Sequence, residues 1–160
     1  MLVLTLQILV FNSLNISGYI NPHIYPLLII VLPFDIAGWL LLLIAATLGL
    51  FIDSFTGTLG IHLFSLVLMA GFRPLVIKFL SLGKFDQDSS INIKQHGLVV
   101  ALVYLSILFF VHHFSYFVIE SFSYSGFGRT LLRIFASTFI GILLSLILLL
   151  FFNNSKKNER

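Results

Sequence analysis

Cysteine is absent from this chain, which excludes a disulfide framework and any thiolate metal site and leaves the redox compartment undetermined. Charge is almost as scarce: Asp, Glu, Lys and Arg make up 9% of the 160 residues, against about 25% in a soluble domain. With 59% hydrophobic residues and 18 Phe, the chain has too little polar surface to cover a globule in water. A bilayer removes that requirement, so the composition points to a polytopic membrane protein. The net charge of +3 comes from residues at the ends of apolar segments and not from a basic patch, so nucleic acid is not an expected partner. No G-x-S-x-G or H-E-x-x-H occurs, which removes the common nucleophile-elbow and zinc-hydrolase contexts. No catalytic residue, cofactor or metal site is expected.

Six apolar segments are separated by short polar ones, and the chain reads as one all-α transmembrane domain over 1–152 with a cytoplasmic tail at 153–160. The expected spans are about 1–14, 22–34, 36–52, 58–82, 97–119 and 129–152. The first is short and lacks the basic n-region and cleavage site of a signal peptide. The second is broken by Pro22, Pro26 and Pro33, each of which removes a backbone donor. The third is opened by Asp35 and Gly38, with Trp39 placed to anchor an interface. Counting Lys and Arg near span ends, seven lie on the side of both termini (Arg73, Lys78, Lys84, Lys94, Lys156, Lys157, Arg160) and two opposite (Arg129, Arg133). The positive-inside rule therefore puts both termini in the cytoplasm.

Polar residues inside such spans are costly and mark pairing or function. The stretch Leu48 to Pro74, LGLFIDSFTGTLGIHLFSLVLMAGFRP, carries Asp53, His62 and Arg73 through apolar sequence. Ala45, Gly49 and Asp53 fall four apart, so small side chains lie beneath the acid on one helix face, where close helix approach is expected. At about 100° per residue, His62 and Arg73 share a face, as do His113 and Glu120, and Arg129 and Arg133. In a six-span arrangement Asp53, His62, His112, His113, Glu120, Arg129 and Arg133 all fall in the outer half, where a polar cluster can form. Asp53 is expected to cap the turn or to pair with His62, Arg129 or Arg133, and Arg73 to snorkel to the cytoplasmic interface. Adjacent His112 and His113 lie about 100° apart on a helix, unlike the i,i+4 pair of a helical metal site, so metal binding is not expected. Ser137, Gly141 and Ser145 continue the arginine face as a small-residue seam, for packing within the bundle or against a partner.

The segments NPHIYPLLIIVLP and GLFIDSFTGTLGIHLFSLVLMAGFRP, and then HHFSYFVIESFSYSGFGRTLLRIFAST, resemble the rod shape-determining protein MreD family. That pattern has a Pro-rich second span, G-L-x-x-D, a short turn, G-x-H and an apolar helix ending near R-P. The most specific portion is Gly49 to Pro74, with Gly49, Asp53, Gly60, His62, Arg73 and Pro74 on the motif. The resemblance implies a compact six-helix bundle similar to the substrate-binding subunit of energy-coupling-factor transporters. It further implies a non-enzymatic scaffold of the bacterial inner membrane, in the complex that directs peptidoglycan synthesis and cell shape during elongation. The implied partners are an MreC-like single-span protein, an MreB-like actin homologue, a RodA-type glycosyltransferase and a class B penicillin-binding transpeptidase, with membrane lipid around them. Whether the chain also forms a homodimer is open. The chain departs from the family at its start, where basic residues before the first span are missing, which leaves open whether Met1 is the native beginning. The alternative is a small-molecule-binding transporter subunit, disfavoured because the spans' centres are aliphatic or Phe, whereas a carrier holds its polar site near the midplane.

Overall fold

The computed structural model describes residues 23–80, 90, 91, 93–121 and 127–155. Among them the chain is helical, with no strand: α1 (Pro26–Ile30), α2 (Gly38–Thr56), α3 (Ile61–Phe79), α4 (Ile93–His96), α5 (Leu98–Ser121) and α6 (Phe127–Ser155). Four of these, α2, α3, α5 and α6, are long and apolar enough to cross a membrane. The first expected span, 1–14, lies outside the described residues. Over the second, the described residues 23–34 make the five-residue α1, shorter than the about 20 residues of a regular spanning helix. The last helix, α6, runs on to Ser155.

The four long helices pack in sequence, α2 on α3, α3 on α5 and α5 on α6, and α1 touches α2, α3 and α5. The core is drawn from all of these contacts, including Leu41, Ala45, Leu66, Met69, Leu105, Leu108 and Phe109. Tyr25, Ile29 and Ile30 belong to the same core at 0% exposure, so the proline-broken segment sits inside the bundle. Its local form follows from its prolines. Pro26 stands at the first helical position, where its missing N–H costs nothing. Pro33 follows the C-cap Val31 by two residues and prevents continuation.

Non-helical backbone at such depth persists only where its polar groups find partners within the protein. Arg73 supplies them. Its guanidinium donates to the carbonyls of Leu32 and Pro33, the latter at 3.1 Å, and its Nε donates to the Tyr104 hydroxyl at 2.9 Å. Tyr104 in turn donates to the Ile30 carbonyl at 3.3 Å, and the Arg73 guanidinium stands 5.9 Å from the Phe34 ring. Arg73 is 1% exposed. The snorkelling role expected for it is therefore wrong: it closes the carbonyl end of α1 from inside the bundle. Pro74, beside it, lies on the exposed side of α3, and the helix runs through it.

The opposite faces of the spans are apolar and exposed, as lipid contact requires. Trp39 at the start of α2 is 70% exposed, and Leu50, Phe55, Phe64, Phe135 and Phe139 continue that surface along α2, α3 and α6.

Candidate functional site

Asp53 belongs to the last turn of α2, which runs past the expected end at Ile52 to Thr56. The helix stops at Gly57, whose φ of 68° is left-handed, and α3 is preceded by Gly60 at φ 85°. Glycine adopts that conformation without the Cβ penalty, and the two positions bring the chain round within four residues. Gly60 has no side chain to cap α3, so the first amides of that helix need another acceptor. Asp53 provides it. One carboxylate oxygen accepts the His62 N–H at 3.2 Å and the Thr58 hydroxyl at 2.5 Å, and the other accepts the Leu63 N–H at 3.0 Å. The carboxylate also lies at the positive end of the α3 dipole.

The capping role read from the sequence is thus present, while the alternative pairings with Arg129 and Arg133 are not. Asp53 meets His62 through its backbone amide and not through its ring. Gly49, one turn below, makes this geometry possible, because a Cβ there would lie 2.4 Å from Leu63 Cα and 2.8 Å from Leu63 N. Gly49 and Asp53 therefore fix how α2 meets α3.

Beside this cap lies a group of rings from three parts of the chain. Tyr25 projects its hydroxyl between His62 Nδ1, at 2.6 Å, and His112 Nε2, at 2.8 Å. His23 stands with its ring centroid 5.3 Å from that of His62, 5.9 Å from His112 and 5.5 Å from His113. Tyr116 closes the group, 4.6 Å from His23 and 4.8 Å from His62. All six side chains are at most 5% exposed. The Tyr25 hydroxyl has one proton to give, so one imidazole accepts from it and the other donates to it.

His113 is fixed independently: its Nδ1 stands 2.9 Å from the Phe109 carbonyl, which can only accept, so Nδ1 carries the hydrogen. Three ring nitrogens in the group, His23 Nδ1, His112 Nδ1 and His113 Nε2, are buried without a hydrogen-bond partner. Among the described residues, no group of three His, Asp or Glu side chains could hold a metal ion.

The polar cluster expected from the sequence is therefore divided. His62, His112 and His113 come together, with Asp53 alongside on the backbone of α3. Glu120 and Arg133 form a separate, partly exposed ion pair at 2.9 Å, and the Arg133 guanidinium lies 4.6 Å over the Phe117 ring. Phe117 stacks on His113 at 6.1 Å and on His23 at 6.2 Å, so an aromatic side chain links the pair to the histidine group. Arg129 is exposed and lies outside both. Gly141 faces α5: a Cβ there would come within 3.0 Å of the Phe109 ring and 3.4 Å of His113. With Ser137 and Ser145 at 0% exposure, the small-residue seam of α6 is spent on packing inside the bundle.

Sequence reasoning missed His23, Tyr25 and Tyr116. His23 and Tyr25 stand in the Pro-broken segment, where no helical period assigns a face, and Tyr116 was lost among the aromatics of α5. One signal was available: Tyr116 follows His112 by four residues and His113 by three, the spacing at which helical side chains meet. No family model, curated protein or solved structure matches this chain.

Proposed function

We propose that this chain is a non-enzymatic scaffold subunit of the bacterial inner membrane, of the MreD kind, that binds an MreC-like single-span partner and helps organise peptidoglycan synthesis during cell elongation. The observation that carries this reading is that the polar residues of the Leu48 to Pro74 unit are spent on the chain's own architecture. Asp53 closes the start of α3 and Arg73 closes the end of α1. What remains for a partner is the apolar outer surface of the spans, where a transmembrane helix can pack. Both termini are placed in the cytoplasm, and the actin-like, glycosyltransferase and transpeptidase components join through the same assembly. The fuller six-helix bundle, similar to energy-coupling-factor substrate-binding subunits, belongs to this proposal.

The test is co-purification of the full chain with an MreC-like protein from a mild detergent. Recovery of the partner supports the reading. Loss of recovery on replacing exposed Phe135 and Phe139 with Ala, in a chain that still folds, maps the contact to α6. A folded parent chain that never recovers the partner contradicts the reading. A transporter subunit is the second reading, and the buried histidine group is what favours it, since a bilayer-embedded carrier needs a polar site inside its bundle.

A further inference from the structure

We infer that the hydrogen-bonded chain running from His62 through Tyr25 to His112 is a proton-operated latch, independent of any scaffold role: it holds the start of the buried segment 23–34 in the bundle and releases it when the histidine group takes up protons. Polar side chains secure that segment at two places. At its end the Arg73 guanidinium holds the carbonyls of Leu32 and Pro33, and the Tyr104 hydroxyl holds that of Ile30. At its start Tyr25 sets its hydroxyl between His62 Nδ1 of α3, at 2.6 Å, and His112 Nε2 of α5, at 2.8 Å. The two fastenings answer differently to acid. A guanidinium stays charged throughout, whereas imidazole is the side chain that changes charge nearest neutral pH.

The Tyr25 hydroxyl has one hydrogen, so one of the two rings must present a bare nitrogen to it while the other donates an N–H. An imidazolium has no bare nitrogen. One added proton is tolerated, because the ring that stays neutral takes over as acceptor. A second is not: two N–H groups then point at the Tyr25 oxygen, and its hydrogen is left without an acceptor. A buried donor stranded in this way is destabilising, and moving Tyr25 out of the group relieves it.

The surroundings do not balance added positive charge. Asp53 of α2 is spent on the Thr58 hydroxyl and on the His62 and Leu63 amides, and Glu120 of α5 is spent on Arg133 of α6. The remaining titratable groups about the latch are themselves histidine or tyrosine: His23 from the segment, and His113 and Tyr116 from α5. Ring centroids stand 5.3 Å apart for His23 and His62, 5.9 Å for His23 and His112, and 5.4 Å for His112 and His113. With every member at most 5% exposed, charges at these separations repel with little screening by water. His113 adds a base to the interior, because its Nδ1 is held by the Phe109 carbonyl while its Nε2 has no partner. At the far end of the segment stand Tyr104, the exposed Asp35 and, from α4, His96, whose ring lies 5.7 Å from that of Phe34. Acid therefore acts on the start of the segment while Arg73 keeps its end in place.

The test is hydrogen exchange of the unaltered full chain in detergent, read at about pH 7.5 and about pH 5, either side of the ordinary histidine range, and corrected for the intrinsic pH dependence of exchange. The amides of Leu27 and Leu28 are bonded to the Ile24 and Tyr25 carbonyls. They should lose protection at least about tenfold at the lower pH, since each proton taken up on opening shifts the equilibrium by up to about tenfold per pH unit. Leu105 and Leu108, in the core on α5, should keep their protection. The His62→Gln, His112→Gln double variant, whose side-chain amides donate and accept without titrating, should lose the response, and His96→Gln should retain it. Unchanged protection of Leu27 and Leu28, an equal loss at Leu105 and Leu108, a response that survives in the double variant, or one abolished by His96→Gln would each overturn the inference.

Discussion

Replacing Asp53 with Ala should destabilise the bundle chiefly by uncapping α3. The carboxylate is 5% exposed and accepts three hydrogen bonds, two from the first amides of α3 and one from Thr58. Losing an N-cap costs about 0.5–2 kcal/mol, and a buried hydrogen bond to a charged group contributes about 1.5–3 kcal/mol. These overlap, because the capping bonds are the charged ones, so the expected loss is about 2–4 kcal/mol. Asp53→Asn keeps one acceptor oxygen but turns an N–H donor towards an amide, and should lose about half as much. Thr58→Val removes only the hydroxyl and should cost about 1 kcal/mol. The assay is reversible unfolding in mixed detergent micelles, followed by far-UV circular dichroism. An Ala variant within about 0.5 kcal/mol of the parent, or an Asn variant worse than Ala, would refute the capping account.

Two further perturbations probe the same architecture. Gly49→Ala drives a Cβ onto the backbone of Leu63, which cannot yield without separating α2 from α3, and should cost about 1–3 kcal/mol or more. Gly141→Ala meets only the rings of Phe109 and His113 and should cost less, while Gly71→Ala, with open space around it, should be neutral or stabilising; thermal denaturation ranks the three. Arg73→Met strands the Leu32 and Pro33 carbonyls and removes the donor to the Tyr104 hydroxyl, which keeps its own bond to Ile30, and should cost about 3 kcal/mol or more. Arg73→Lys should recover only part of this, because an ammonium lacks the planar fork. Equal stability of the Lys variant and the parent would return Arg73 to the interfacial role.

Much of the bundle is legible in the sequence because it rests on period and side-chain size. The four long helices fall where apolar runs placed them, with ends displaced by a few residues at Thr56, Phe79 and Ser155. The face shared by Ala45, Gly49 and Asp53 is buried as a unit, and so is the face shared by His62 and Arg73. What could not be read is what each buried polar residue meets. Arg73 looked interfacial because it falls in the final third of its apolar run, yet its partners Leu32, Pro33 and Tyr104 are supplied by segments 31 to 41 residues distant in sequence. The histidine group likewise depends on His23 and Tyr25, carried by a segment whose prolines deny it a regular period. Tyr25 reaches His112 across 87 residues, a distance over which no local pattern carries information. Asp53 was legible in part: an acid near a turn predicts a cap, but only the left-handed Gly57 and Gly60 explain why it caps the following helix.

We propose that this chain, whose buried acid and arginine are committed to its own fold, acts by presenting an apolar surface to a partner helix. The most direct test is quantitative recovery of an MreC-like partner with the parent chain and with the Phe135→Ala, Phe139→Ala double variant, both verified as folded. Stoichiometric recovery is expected with the parent and at least about a tenfold loss with the variant, equivalent to about 1.4 kcal/mol. Absence of any recovery with the folded parent would contradict it.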